Sequence, residues 1–139
     1  MRLTRAGEYA VRCVLCMSGR EKNQIISRKE ISKDMEIPDQ FLGKIAQQLA
    51  RSGFIEIIQG AKGGYRLLLK PEKITLLDVV EAVSGEIFLN DCIMNPGSCS
   101  RSSSCEVNAV WEKAREQLRA TLREATFDKL LKEDLCIKQ

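Results

Sequence analysis

Residues 27 to 69 constrain the fold more than any other stretch, because two helix signals and two strand signals follow one another with very short connections. Ser27-Arg28-Lys29-Glu30 places a hydroxyl and a carboxylate three residues apart, the reciprocal cap of a helix start. It predicts a short helix from Arg28 that buries Ile31 and Met35. Ile37-Pro38 comes next, with Pro38 suited to the first position of a second helix that Ser52-Gly53 closes. Along that helix Phe41, Leu42, Ile45 and Leu49 mark a buried face. Gln40, Lys44, Gln47 and Arg51 recur at helical spacing on the opposite face. Two helices joined by a short turn, the second with a basic, amide-rich outer stripe, is the layout of a helix-turn-helix with its recognition helix. Such side chains donate to base edges in the major groove, although an ordinary solvated helix face has the same composition.

The next residues favour the first reading. Phe54-Ile55-Glu56-Ile57-Ile58 and Tyr65-Arg66-Leu67-Leu68-Leu69 are β-rich runs around Gln59-Gly60-Ala61-Lys62-Gly63-Gly64, a hairpin with a glycine-rich tip. Directly after a recognition helix, a hairpin is the wing of a winged helix, and Lys62 and Arg66 would reach phosphates or the minor groove. A nucleotide-cradling loop is excluded by the absence of both the G-x-G-x-x-G and P-loop patterns.

The second constraint is chemical. Residues 91 to 105 hold three of the six cysteines, Cys92, Cys99 and Cys105, around the turn signal Asn95-Pro96-Gly97 and a run of serines. Thiolates select zinc, copper(I) or iron-sulfur clusters, so the loop reads as a metal or cluster site rather than a linker with incidental thiols. The chain has no histidine. A fourth ligand must then be a carboxylate, an amide, water, a distant cysteine or a group from a second subunit. The spacing matches neither paired zinc knuckles nor the tight ferredoxin run.

At 139 residues the chain has room for one core and at most one appended element. It carries no bilayer-spanning apolar run and no signal-peptide pattern, which predicts a cytoplasmic protein without a membrane partner, whose cysteines are ligands rather than disulfides. Residues 1 to 73 carry 14 Lys/Arg against 8 Asp/Glu, a net of +6, and residues 74 to 139 carry 8 against 11, a net of −3. A polyanion partner for the first half is the implication.

Elsewhere, Thr4 caps a helix over residues 4 to 18 that Gly19 ends. Within it Cys13 and Cys16 form C-x-x-C, a redox or metal pair in principle but read here as small core hydrophobes. Thr75-Leu76-Leu77-Asp78 starts a fourth helix that Ser84-Gly85 closes. From Glu106 to about Ala125 the residues Val107, Val110, Trp111, Ala114, Leu118, Leu122 and Ala125 form one apolar stripe. A helix about 30 Å long exceeds what so small a domain needs, and predicts pairing with its counterpart in a two-fold dimer. Residues 126 to 131 read as a short terminal helix, followed by Cys136 in a tail. The expected class is mostly α with a small β-hairpin wing, divided into a winged helix-turn-helix over 1–83, a cysteine loop over 84–105, and a dimerisation helix and tail over 106–139.

Met1-Arg2-Leu3-Thr4, the Leu-x-x-x-Gly ending of the recognition helix at Leu49 to Gly53, Gly60-Ala61-Lys62-Gly63-Gly64-Tyr65, and three loop cysteines before Trp111 are shared features. Together they resemble the bacterial winged-helix regulators that include IscR, NsrR, RirA and CymR, over essentially the whole chain. The resemblance implies a homodimer that binds palindromic double-stranded promoter DNA and has no small-molecule substrate. It implies a [2Fe-2S] or [4Fe-4S] cluster on Cys92, Cys99 and Cys105. IscR-like members place histidine three residues after the third cysteine, where this chain has Asn108. NsrR-like members use a carboxylate from the partner's first helix, and Glu8 stands at that position here.

The same resemblance puts Pro38, Gln40, Lys44 and Gln47 in or at the major groove, Gln59 and Lys62 at the wing, and Arg2, Thr4 and Arg28 on phosphates. Gly43 replaces the acidic residue of IscR, and Gln59 a common arginine, so operator sequence does not transfer. The expected function is a DNA-binding repressor, not an enzyme, whose operator affinity is set by its cluster in response to iron, cluster status, oxygen or nitric oxide. The rivals are a constitutive DNA-binding protein with structural zinc and an electron-transfer iron-sulfur protein. The absent histidine and the lack of a paired acid-base constellation weigh against the latter.

Overall fold

Each helix begins where the chain supplies an acceptor for its otherwise orphaned N–H groups. The computed structural model describes residues 3–89, 95, 97, 100 and 105–133. Thr4 accepts from the Gly7 N–H at 3.0 Å to open α1 (Arg5–Ser18). Ser27 accepts from Glu30 to open α2 (Arg28–Met35), and Thr75 and Asp78 cap each other's backbone N–H at the head of α4 (Leu76–Ser84).

Pro38 opens α3 (Asp39–Arg51) differently from expectation. It is the N-cap, at ψ 132°, not the first helical residue. The turn before it has no glycine: Glu36 takes the left-handed conformation (φ 54°), the Ile37 N–H reaches the Ser32 carbonyl at 3.0 Å, and the Ser32 hydroxyl donates to the Ile37 carbonyl. Ile37 is buried beneath it, so this two-way tie holds α3 across α2.

Strands β1 (Ile55–Ile58) and β2 (Gly64–Leu67) form an antiparallel hairpin in the register Ile55 to Leu67 and Ile58 to Gly64. Both are shorter than the β-rich runs. Leu68 and Leu69 lie exposed past the end of β2, although the Leu68 N–H still bonds the carbonyl of its cross-strand neighbour Phe54 at 2.9 Å. Ile26 bridges β2 at Tyr65 through two 2.9 Å hydrogen bonds, fastening the wing to the start of α2. After a 3-10 turn (Pro71–Lys73) and α4 come α5 (Glu106–Glu124) and α6 (Phe127–Glu133).

The core lies among α1, α3 and α4. Ala10, Cys13, Val14 and Met17 pack with Leu42, Ile45, Ala46 and Leu49, with Ile31, Ile55 and Val79 around them. Each buried aliphatic side chain contributes about 1.5 to 3 kcal/mol by leaving water. Cys13 and Cys16 belong to this core, as their position on the apolar side of α1 suggested. Phe41 does not. It is exposed, its ring meeting only Tyr9 edge-on at 5.7 Å, and Ala46 takes the interior place at the next helical turn. A small residue suits that position because α1 approaches α3 there.

The terminal helix starts one residue later than expected and returns to the N-terminal core. Thr126 pairs with Thr75, the Leu76 N–H bonds the Ala125 carbonyl at 2.8 Å and the Phe127 N–H bonds Ile74 at 3.1 Å, so the fully buried Phe127 ring drops beside α1. Among the described residues no helix is long and apolar enough to cross a membrane.

Candidate nucleic-acid interface and cysteine site

A cleft of about 590 Å³ separates α3 from the wing. It gathers Arg28 at the start of α2, Gln40, Lys44 and Gln47 from α3, and Gln59 from the hairpin. The outer stripe of α3 is solvent-facing throughout, since Gln40, Lys44, Gln47 and Arg51 all point away from the core. Its lining holds two cations and three amides, of which Lys44 and the glutamines present free-standing donors while Arg28 is ion-paired with Asp39.

Other sequence-predicted residues lie outside the cleft. Pro38, Arg51 and Lys62 are exposed beside it. Arg66 is taken up by its cross-strand neighbour, with Nε and Nη2 donating to Glu56 Oε2 at 3.2 and 2.5 Å. The Thr4 hydroxyl, besides capping α1, lies 2.6 Å from the Ser84 hydroxyl and ties α1 to α4. Arg2, Cys92, Cys99 and Cys136 fall outside the described residues.

Cys105 is the residue before α5, half-buried, with its side chain making no cap bond. Among the described residues no three of His, Cys, Asp and Glu converge as a metal site. Cys13 is fully buried in the core, and burial, reinforced by the neighbouring Cys16, pushes its thiol up to about 12. Burial raises Cys16 as well, against the opposing effect of Arg20. Glu8 is exposed on α1 and lines a largely apolar groove of about 710 Å³ whose other walls come from α4, residues 85 to 88, and Leu118 and Leu122 of α5. The apolar stripe of α5 is split. Ala114, Leu118 and Leu122 are half-buried in the chain's own fold, whereas Val107, Val110 and Trp111 are 54%, 62% and 39% exposed.

The structure adds a latch at the base of the cysteine loop that sequence reasoning missed. Glu81 of α4 receives Arg119 of α5 at 3.0 and 3.3 Å, and also the Ile87 N–H at 2.8 Å. Arg115, 8% exposed, donates to the Ile87 carbonyl at 2.7 Å and meets Glu112 and Glu116. The only sequence signal was a pair of arginines four apart beside an apolar stripe. Nothing local points from Arg119 to Glu81, 38 residues away.

Burial tends to raise the Glu81 carboxyl, but the Arg119 and Ile87 hydrogen bonds and the arginine charges outweigh it and hold the group below its usual 4.5. A depressed carboxylate adds stability above its unfolded value that disappears as pH falls through the folded one. We therefore expect Glu81→Gln to cost roughly 1.5 to 3 kcal/mol at pH 7. In paired urea titrations the gap between variant and wild type should start to narrow as pH falls below about 4.5 and continue to narrow through the lower folded value. A gap that shows no narrowing at all between about pH 5 and the lowest pH at which wild type stays folded would show that the carboxylate charge is not what the latch uses.

The chain matches the Rrf2 family model, described as "Iron-dependent Transcriptional regulator", over residues 3–133. It is similar to protein aau3 of Rhizobium meliloti strain 1021, 35% identical over 134 residues that cover 95% of this chain and 86% of that protein. It is also similar to the HTH-type transcriptional regulator NsrR of Shouchella clausii, at 29% over 136 residues covering 96% of this chain and 91% of NsrR. Among solved structures, T. potens IscR shares the fold at a TM-score of 0.76 and 20% identity, over all of this chain and 92% of IscR. The recognition helix, the wing and the family match agree, and the chain belongs to the Rrf2 family of DNA-binding transcriptional regulators, not to a family of enzymes.

Proposed function

We propose that this chain is a homodimeric repressor whose operator affinity is set by an iron-sulfur cluster held by Cys92, Cys99 and Cys105, with Glu8 of the partner subunit as the fourth ligand. The observation that carries the reading is what flanks the cysteine-rich stretch in an Rrf2 chain: the Glu81–Arg119 latch before it and Cys105 at the head of α5 after it. The donor set fits. Three thiols are soft ligands for iron, and one of them, Cys105, stands directly before α5. When bound, the cluster supplies an iron centre sensitive to oxygen, nitric oxide and iron supply.

The chain's own residues do the rest. Arg115 and Arg119 grip Ile87 and Glu81, so any change in the order of the loop is felt along α5. Val107, Val110 and Trp111 leave an apolar face on that helix for a second copy. The spacing of the two α3 helices, and with it the fit to two half-sites, then follows from the path of α5. Arg28, Gln40, Lys44, Gln47 and Gln59 in the cleft, with Pro38, Arg51 and Lys62 beside it and Thr4 and Arg66 outside it, would meet the duplex, and the reading assigns Arg2 a phosphate contact as well. For the cluster to bias binding it must favour one arrangement of the dimer, typically by about 1 to 3 kcal/mol.

Anaerobic purification with iron, sulfide and zinc analysis and a visible spectrum, on wild type, Cys92→Ala and Glu8→Ala, tests the reading. Wild type should hold iron and sulfide with sulfur-to-iron absorption bands. Cys92→Ala should lose both, and Glu8→Ala should alter yield and spectrum. Zinc in place of iron, with duplex binding intact, would make the loop a structural site in a constitutive DNA-binding protein. Failure to bind any duplex at low salt would remove the regulator reading itself.

A further inference from the structure

Arg28 belongs to α2, yet its guanidinium lies on the recognition helix. Nε donates to Asp39 Oδ1 at 2.9 Å and Nη2 to Oδ2 at 2.5 Å, a forked pair that joins the first residues of α2 and α3. One turn further along α3 is Gly43. A Cβ built there would stand 3.2 Å from Arg28 Nη1 and 3.4 Å from its Cζ. The guanidinium therefore occupies the place that a side chain at position 43 would take. It does so in the cleft that Gln40, Lys44 and Gln47 also line.

Two physical arguments decide what such an arginine does. First, Asp39 lies beside it and cancels its charge locally, which weakens attraction for a phosphate and does not diminish its capacity to donate to a neutral base. Second, Asp39 takes two of the five guanidinium N–H groups. Tyr65, which lines the same cleft, takes a further N–H, and the two that remain match the O6 and N7 acceptors of guanine. Arginine held in this way loses little rotamer freedom on binding. A longer residue at 43 would displace it.

Resting on the regulator reading above, we infer that Arg28 is a base-reading residue, positioned by Asp39 and admitted by Gly43 onto the face of α3, where it selects a guanine in each half-site. This revises the phosphate role that the resemblance suggested for it.

The experiment is selection from a randomised 30-base-pair duplex library by wild type, Arg28→Lys and Gly43→Gln. The affinity of each variant for the duplex that wild type selects is then measured, along with its affinity for a scrambled one. Arg28→Lys keeps the charge and loses the fork. Gly43→Gln keeps Arg28 but takes its place, and glutamine is a better helix former than glycine, so this variant retains the fold. Both should lose the same G·C preference. Affinity for the selected duplex should fall about 5- to 150-fold for each half-site contacted, with binding to the scrambled duplex unchanged. An Arg28→Lys protein that selects the wild-type sequence, or loses affinity equally on both duplexes, overturns the inference. If wild type itself enriches no sequence, the failure belongs to the regulator reading instead.

Discussion

Replacing Phe127 with alanine should lower the stability of the chain by roughly 3 to 5 kcal/mol, read as a shift of the urea midpoint at unchanged slope. Phe127 is the largest fully buried side chain, and it sits in the core cluster with residues of α1, α3 and α4 although it lies outside the winged helix in sequence. Its neighbours cannot follow it inward. The backbone there is pinned by the Phe127 to Ile74 and Leu76 to Ala125 hydrogen bonds, so the vacated volume stays open. Domains of this size are stable by about 5 to 15 kcal/mol, so the variant should be marginal at 37 °C. The same residue anchors the C-terminal end of α5, and Phe127→Ala should also weaken duplex binding. Phe127→Leu, which refills most of the space, should restore much of both. A loss below about 1 kcal/mol would mean that α6 is not docked on the core.

Gly64→Ala should cost roughly 2 to 5 kcal/mol, combining backbone strain with a broken bridge. Gly64 has φ +157°, and a Cβ there would fall 2.2 Å from the Ile26 carbonyl oxygen and 2.9 Å from Ser27 Cα. These are backbone atoms, so no rotamer relieves the clash. What must move is the Ile26–Tyr65 bridge, which holds the wing against the start of α2, where Arg28 is anchored. Stability and duplex affinity should therefore fall together. Gly60→Ala is the control. Gly60 has φ +106° but open space around it, so only about 1 to 2 kcal/mol of conformational strain applies. Equal losses in the two variants would show that the contact with Ile26 is unimportant.

Local chemistry made much of this fold legible. The caps at Thr4, Ser27 and Thr75 and the stop at Gly19 are set by hydrogen bonds within three or four residues, so the helices begin and end close to where those residues predict. The wing follows from β-rich runs on either side of a glycine-rich tip. Two local readings missed by small margins. Phe41 has the spacing of a core residue, but whether a helix position is covered depends on what packs against it, and α1 brings only the edge of Tyr9. Leu68 and Leu69 have strand propensity, but β1 starts at Ile55, so only one further cross-strand bond, from the Leu68 N–H to the Phe54 carbonyl, forms beyond Leu67 and both side chains stay exposed.

By itself, then, the sequence determined the elements, their caps and turns, the donor types in the cysteine loop and the basic character of the first half. These depend on covalent spacing and on contacts a few residues apart. Only the tertiary structure decided which of those residues meet. Arg28 reaches across to Gly43, Arg119 to Glu81, Tyr65 to Ile26, and Phe127 into a core whose other buried members end at Val79. Each of these pairings exists because packing of apolar faces brings distant backbone together. The polar partners then form where burial would otherwise leave a charge or a carbonyl unsatisfied.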